Sequence, residues 1–289
     1  MMNNTIKTPV AIPVEKLHPF EGHPYKIQDN EEMNTLIESI QTQGILSPLI
    51  VRPKENTEDE YEIVSGHRRF RAAVKAGTKE VSALIVPLDR DEAAIAVVDS
   101  NLHREHILPS EKAFAYKLKM DALSRQGKRS DLTSTQVVPK LRTNEIVGQD
   151  ANESRETVRR YIRLTHLIPQ LLDLVDEGRI AFTPAVELSY LLPEEQKILL
   201  SEIEYNDCTP NLSQACRFKK ISQEQGLTPE KISEIMSEEK ANQKERVKIP
   251  TDRIRKYFPK DYTTAQMEET IVKLCEAYHQ KRLRDRDAR

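Results

Sequence analysis

Tyr61-Glu62-Ile63-Val64-Ser65-Gly66-His67-Arg68-Arg69-Phe70-Arg71-Ala72-Ala73 is the stretch that decides how this chain folds. Tyr61 to Val64 alternates as a strand, Gly66 breaks it, and His67 to Ala76 reads as a helix stopped by Gly77. A helix N-terminus leaves backbone N–H groups unpaired and carries the positive end of the dipole, so it attracts anions. Glycine there lets a ligand approach the backbone closely. The dipole favours Asp or Glu in the first turn, yet this helix opens with His67, Arg68 and Arg69, followed by Arg71. A bound anion resolves the conflict, most simply a polyphosphate, because guanidinium forks grip phosphate at two points. A solvated amphipathic helix with incidental arginines fits the residue types about as well. Phe70, Ala73 and Val74 are predicted to face a core.

Working outward, Asn30-Glu31-Glu32 opens a helix with Met33, Leu36, Ile37 and Ile40 at helical spacing, and Gly44 ends it. Leu49-Ile50-Val51 and Val81 to Val86 read as strands. Strands and helices thus alternate from Ile12 to about Leu88, as in a small α/β unit. Beyond Asp91 strand signals almost vanish. Helices are predicted over Asp91–Asn101, from Ser110, over Thr143–Val147, Arg155–His166, Pro169–Glu177, Pro184–Leu192, Glu194–Glu204, Asn211–Gln225 and about Thr264–Arg284. Gln126 to Lys140 reads as a loop, and Glu238 to Arg246 as a charged linker. The fold class expected is α+β: a disordered tail over 1–11, an α/β domain over 12–108, an all-α domain over 109–204, a helical connector over 205–247 and a helical C-terminal segment over 248–289.

Within the all-α part, Thr143 to Gly148 and Ser154 to Leu164 are two short helices joined by Asp150-Ala151-Asn152-Glu153. That spacing is a helix-turn-helix. Ser154 is placed to cap the second helix, with Thr157 at its third position. Four arginines against two glutamates make the stretch from Asn152 to Arg163 locally basic. A recognition helix reads base edges from its N-terminal part, which nominates Ser154, Arg155 and Thr157, with Thr143 on the preceding helix. Arg159, Arg160 and Arg163 would meet phosphates or pack on a partner helix. An ordinary basic surface helix is the plainer alternative.

The 289 residues fit about two or three domains. Lys plus Arg number 44 and Asp plus Glu 46, so a net charge of -2 conceals local basic patches. No run approaches a membrane span, and Met1 to Pro13 lacks the apolar core of a secretory signal. The three cysteines, Cys208, Cys216 and Cys275, include no Cys-x-x-Cys pair, which argues against a disulfide framework or structural zinc. Cys216 and Cys275 fall in apolar-periodic helices and are expected in the core. His103-Arg104-Glu105-His106 lacks metalloprotease spacing, so no metal ligand is assigned. No Gly-x-x-x-x-Gly-Lys-Ser/Thr loop occurs, and no nucleophile–base set stands out, so no catalytic residue is assigned. A cytoplasmic protein is expected.

Residues 12 to about 200 resemble the ParB/Noc family of partition proteins. Leu36 to Ile40 and Gly44 to Arg52 resemble its first helix and strand. Gly66-His67-Arg68-Arg69-Phe70-Arg71-Ala72 resembles its Gly-Glu-Arg-Arg box, and Ser100-Asn101-Leu102-His103-Arg104-Glu105 its Glu-Asn-x-Gln-Arg box. The stretch from Leu164 to Ala185 resembles the helices that buttress its DNA-binding motif. The resemblance implies a ParB-type nucleotide-binding domain and a CTP switch, with Gly66, His67, Arg68, Arg69, Asn101 and Arg104 as nucleotide contacts and Mg²⁺ alongside. The family's Glu falls here on Ser100, its Gln on His103 and its first-box Glu on His67. Serine supplies no carboxylate to a hard cation, so CTP hydrolysis is left open and CTP binding is expected. The implied partners are double-stranded DNA, a second copy of the chain through its C-terminus and a ParA-type ATPase, with no membrane. The implied role is plasmid, mobile-element or chromosome segregation, with the protein on the nucleoid or plasmid. A static helix-turn-helix regulator that has lost the switch is the alternative. An enzyme, such as a nucleotide-using kinase of related N-terminal fold, is disfavoured by the helix-turn-helix.

Overall fold

The computed structural model describes residues 8–102, 104, 106–131, 143–238, 254–259 and 261–287. Two compact units divide the chain, 1–238 and 239–289. The first opens with β1 (Val10–Pro13) and β2 (Leu17–Pro19), then α1 (Glu31–Gln43), β3 (Leu49–Pro53), β4 (Tyr61–Ser65), α2 (His67–Lys75), β5 (Glu80–Ile85) and α3 (Arg90–Asp99). The strands form one sheet in the order β1-β5-β3-β4-β2. β1–β5 and β3–β4 run antiparallel, while β3–β5 and β2–β4 run parallel.

Alternation along the strands puts an apolar layer on each sheet face. Leu49, Val51 and Ile63 join Met33, Ile40, Ala72 and Ala73 beneath α1 and α2. Val64 turns to the opposite face and packs with Phe20, Ala93, Ala94, Val97 and Ala122 beneath α3 and the long helix α4 (Pro109–Asp131). Arg52 and Glu62 lie opposite one another on β3 and β4 and form a buried ion pair, Nη2 to Oε2, of 2.7 Å. The other Glu62 oxygen accepts the Glu21 N–H at 2.9 Å, which ties the segment after β2 to the sheet.

The helical part follows with α5 (Thr143–Ala151), α6 (Arg155–Leu164), α7 (Pro169–Asp176), α8 (Phe182–Leu188), α9 (Pro193–Asn206), α10 (Leu212–Gln225) and α11 (Pro229–Ser237). Its core gathers Leu164, Leu171, Ile180, Leu188, Leu199, Ile203, Phe218 and Ile232, all essentially buried. In the second unit, α12 (Thr264–Asp287) exposes Val272, Leu274 and Tyr278 and buries Met267. No described helix is long and apolar enough to cross a membrane.

Several expectations need correction. Val10 and Ala11, read as the end of a disordered tail, pair with Ala83 and Ser82 of β5. Val74 is exposed, because Ala72 and Ala73 present the inward face of α2. Cys216 is exposed because Ala215 and Phe218 take the core side of α10, and Cys275 is exposed on α12. Helix α4 runs through Gln126 to Asp131, where a loop was expected; residues 132–140 of that reading lie outside the described residues, as do 239–246 of the charged linker. Helix α8 spans Phe182–Leu188 rather than Pro184–Leu192, since Leu192 instead caps α9 at Pro193.

Candidate nucleotide cavity and DNA-reading helices

Gly66 sits between β4 and α2 with φ 103°, the left-handed region that glycine alone enters freely. The turn delivers α2 with no acidic residue in its first turn. An inner cavity of about 160 Å³ opens there, lined by Gly66, His67, Arg68 and Arg69, by His23, Tyr25 and Lys26 from the segment after β2, and by Ser100, Asn101 and Arg104 after α3. Lys26, Arg68 and Arg104 also line a wider space of about 770 Å³ reaching His106, Leu108 and Glu111, a volume typical of small-ligand sites. All six residues nominated for nucleotide contact therefore meet at one cavity. His103 and Glu105 lie outside the described residues.

Each wall residue is held in its own way. Arg69 donates to the carbonyls of Ser47 and Pro48, the latter at 3.0 Å, so it also fastens the entry to β3. Arg68 pairs with exposed Glu32 at 3.0 Å. Arg104 stacks its guanidinium over the Tyr25 ring at 5.5 Å. Asn101 donates to Val97 O at 2.7 Å and to Ser100 Oγ at 3.1 Å, leaving Oδ1 as its remaining polar atom. Lys26 pairs with Asp173 at 3.2 Å and Asp176 at 3.0 Å on α7. Among the described residues, no three His, Cys, Asp or Glu side chains gather to hold a metal ion.

His67 accepts the Phe20 N–H on Nε2 at 3.3 Å, and its ring lies 3.8 Å from that of His23. Burial above all, then the charges of His23 and Arg104, holds its pKa down at about 3. A free imidazole titrates near ~6.5. Over that interval the unfolded chain binds a proton that the folded chain refuses, so stability is lost as pH falls through about 6.5 toward about 3, by at most ~1.4 kcal/mol per pH unit. His23, lowered mainly by burial, adds in the same direction. Urea midpoints at pH 7 and pH 5 check this: His67→Gln is expected to lose less stability across that step than the native chain.

Helix α4 ties the segment around Ser100 to α5 and α6. Lys119 Nζ reaches Asp99 at the end of α3 and Asp150 of α5, the latter at 2.6 Å. Lys112, seven residues earlier on the same face, pairs with Glu153 at 2.8 Å in the turn between α5 and α6. That turn closes with Asn152 at φ 54° and with Glu153 N–H donating to Gly148 O at 2.9 Å. A Cβ on Gly148 would stand 2.7 Å from Glu153 O, so the glycine is what lets the two segments meet.

Ser154 caps α6, its Oγ accepting the Thr157 N–H at 3.1 Å. Val158 and Leu164 are fully buried, which turns the opposite face outward. Arg159 is exposed there beside Glu156. Arg155 reaches back to Glu145 of α5 at 3.2 Å. Arg160 and Arg163 instead pack on α8 and its end. Arg160 lies 4.9 Å from the Phe182 ring and donates to Thr183; Arg163 lies 4.0 Å from the Tyr190 ring and donates to Ser189 O at 2.8 Å. Lys219 of α10 covers Tyr190 too, at 3.9 Å, a contact no sequence signal announced. Thr143 opens α5, and its side chain lies outside the described residues.

A mixed sheet with an arginine-rich helix start, followed by a helix-turn-helix, defines a ParB-type architecture. The ParB N-terminal domain family model matches residues 2–102. The chromosome-partitioning protein Spo0J of Thermus thermophilus is 35% identical over 195 residues, covering 67% of this chain and 64% of that protein. The nucleoid occlusion protein of Listeria innocua is 30% identical over 198 residues, covering 68% and 63%. The chain thus spans less than two thirds of the length of these relatives. The crystal structure of the C-terminally truncated chromosome-partitioning protein ParB from Caulobacter crescentus complexed with CTP-gamma-S is 27% identical, with a TM-score of 0.32, covering 68% of this chain and 98% of that one. Residues 2–102 thus belong to the ParB N-terminal domain family, and the similarity to chromosome-partitioning and nucleoid occlusion proteins extends over two thirds of the chain.

Proposed function

We propose that this protein is a site-specific double-stranded DNA-binding protein of the partition type, acting in plasmid, mobile-element or chromosome segregation as a CTP-gated clamp. One observation carries the reading: a helix start built of arginines, where acids would ordinarily stand, forms a cavity that also receives Asn101 and Arg104. An anion with several phosphates satisfies that charge arrangement. Relatives named for chromosome partitioning and nucleoid occlusion agree with it. The resemblance would bring Mg²⁺ with the nucleotide. Residues 12–108 would form the nucleotide domain and 109–204 the DNA-binding domain.

DNA would be read by Ser154, Arg155 and Thr157 at the start of α6, helped by Thr143, with Arg159 on the phosphates. Arg160 and Arg163 would brace α6 against α8. A second copy would dock through α12, whose exposed Leu274 and Tyr278 continue the stripe begun by Met267 and Ile271. The dimer would sit on nucleoid or plasmid DNA and answer to a ParA-type ATPase.

Sequencing of genomic fragments retained by the purified protein tests the DNA reading; enrichment of one palindromic site is expected. On that site Arg155→Ala should cost about 1–3 kcal/mol of discrimination while leaving affinity for random DNA unchanged. An equal loss on all DNA removes Arg155 from base reading. Electrophoretic shifts at two salt concentrations separate the two, since phosphate contacts govern the salt slope.

A further inference from the structure

We propose that the cavity at the start of α2 takes its triphosphate as a metal-free anion, held by cationic side chains with no divalent ion bound to the protein. This rests on the nucleotide reading above and concerns what the nucleotide brings with it.

Mg²⁺ at a phosphate site is ordinarily anchored by one or two carboxylates as well as by phosphate oxygens. Among the described residues the inner cavity wall holds no carboxylate. Of the side-chain oxygens at Ser100 and Asn101, the serine's is committed and the amide Oδ1 that is left is uncharged, a poor substitute for a carboxylate at a hard cation. Ser100 Oγ donates to Val97 O at 3.1 Å and accepts from Asn101 Nδ2. In the wider space two carboxylates occur, and both are engaged. Glu111 accepts the backbone N–H of Lys26 at 2.7 Å with one oxygen and that of Leu108 at 3.0 Å with the other. Glu32 pairs with Arg68.

The cationic side is well supplied. Lys26, Arg68, Arg69 and Arg104 all border the inner cavity. A triphosphate whose terminal group titrates near pH ~6 carries close to four negative charges at neutral pH. Arg69 and Arg104 form no ion pair among the described residues, so their charges are available to a ligand. Arg68 holds an exposed partner, Glu32, and an exposed pair of that kind exchanges at little cost, whereas Lys26 stays tied to the largely buried side chain of Asp176 and adds its charge from there. A divalent ion would cancel half the ligand's charge, weaken its pull on this wall and receive no carboxylate from the described inner wall in return. The substitution of serine at position 100 thus converts a metal–nucleotide site into an anion site, one suited to holding the nucleotide rather than hydrolysing it.

The test is equilibrium dialysis of radiolabelled CTP against the full chain with sheared genomic DNA present, once in excess EDTA and once in excess Mg²⁺, at matched ionic strength. The expected result is binding in EDTA at least as tight as in Mg²⁺. Ser100→Glu adds the missing carboxylate and should weaken binding in EDTA about tenfold, with Mg²⁺ restoring it. Binding by the native chain in Mg²⁺ alone overturns the metal-free proposal and leaves the nucleotide reading standing. Binding in neither condition overturns the nucleotide reading, and the proposal with it. A Ser100→Glu chain that binds equally in both conditions overturns the charge argument.

Discussion

Asp99→Ala combined with Asp150→Ala is expected to destabilise the protein by about 3–5 kcal/mol, the usual cost of stranding a buried charge. The Lys119 side chain is 2% exposed, whereas its partners Asp99 and Asp150 are 48% and 47% exposed. The burial therefore falls on the ammonium alone. Removing both carboxylates leaves it desolvated and unpaired. Lys119→Met removes the charge instead, nearly keeps the volume and leaves two carboxylates that water can reach, so it should cost about 1 kcal/mol. Urea denaturation of the three proteins checks the order. If Lys119→Met is the more damaging change, the ion triad is not what fastens α3, α4 and α5 together. The order bears on the proposed function, because Asp99 precedes the second box directly and Asp150 lies on the first helix of the helix-turn-helix.

Gly66→Ala should be comparably costly, about 2–5 kcal/mol, and should abolish CTP binding. Two effects add. A residue with a Cβ at φ 103° meets a backbone penalty of about 1–2 kcal/mol. The new Cβ would also stand 2.5 Å from Leu49 Cδ2 and 3.1 Å from Arg69 Nη2. Leu49 is fully buried in the layer under α1 and α2 and has no room to yield, so overpacking adds about 1–3 kcal/mol. Relief comes by shifting the start of α2, which displaces Arg68 and Arg69 from the cavity. Thermal unfolding and CTP dialysis on the same preparation check both parts. A Gly66→Ala protein of native stability that still binds CTP would show that the strand-to-helix turn does not shape the site.

The strand, glycine and helix around Gly66 were readable because each is a local signal: period two, a breaker, then period 3.6. The Ser154 cap and the short turn before α6 were readable for the same reason. What escaped was non-local. Val10 and Ala11 carry no strong strand pattern, and their pairing with β5 comes from a partner some 70 residues away in sequence. Lys119 looks like any solvated lysine on a charged helix until Asp99 and Asp150 are brought to it. Arg160 and Arg163 read as meeting phosphates or packing on a partner helix, and the rings of Phe182 and Tyr190 that hold them on α8 and its end carried no local signal. The place of Lys26 at the cavity likewise depends on distant residues, Glu62 and Glu111, which fix the segment around it.

A clamp closed by nucleotide would reveal itself by retention on DNA with blocked ends. A fragment carrying the recovered binding site is tethered at both ends, incubated with protein and CTP, then washed at high salt. Contacts to phosphates dissolve in salt, whereas a closed ring around DNA does not. A nucleotide-closed ring leaves protein retained on the doubly tethered fragment with CTP, and lost without CTP or after one end is cut. Equal loss from open and closed fragments with CTP present would contradict it and leave a static DNA-binding regulator on the same fold.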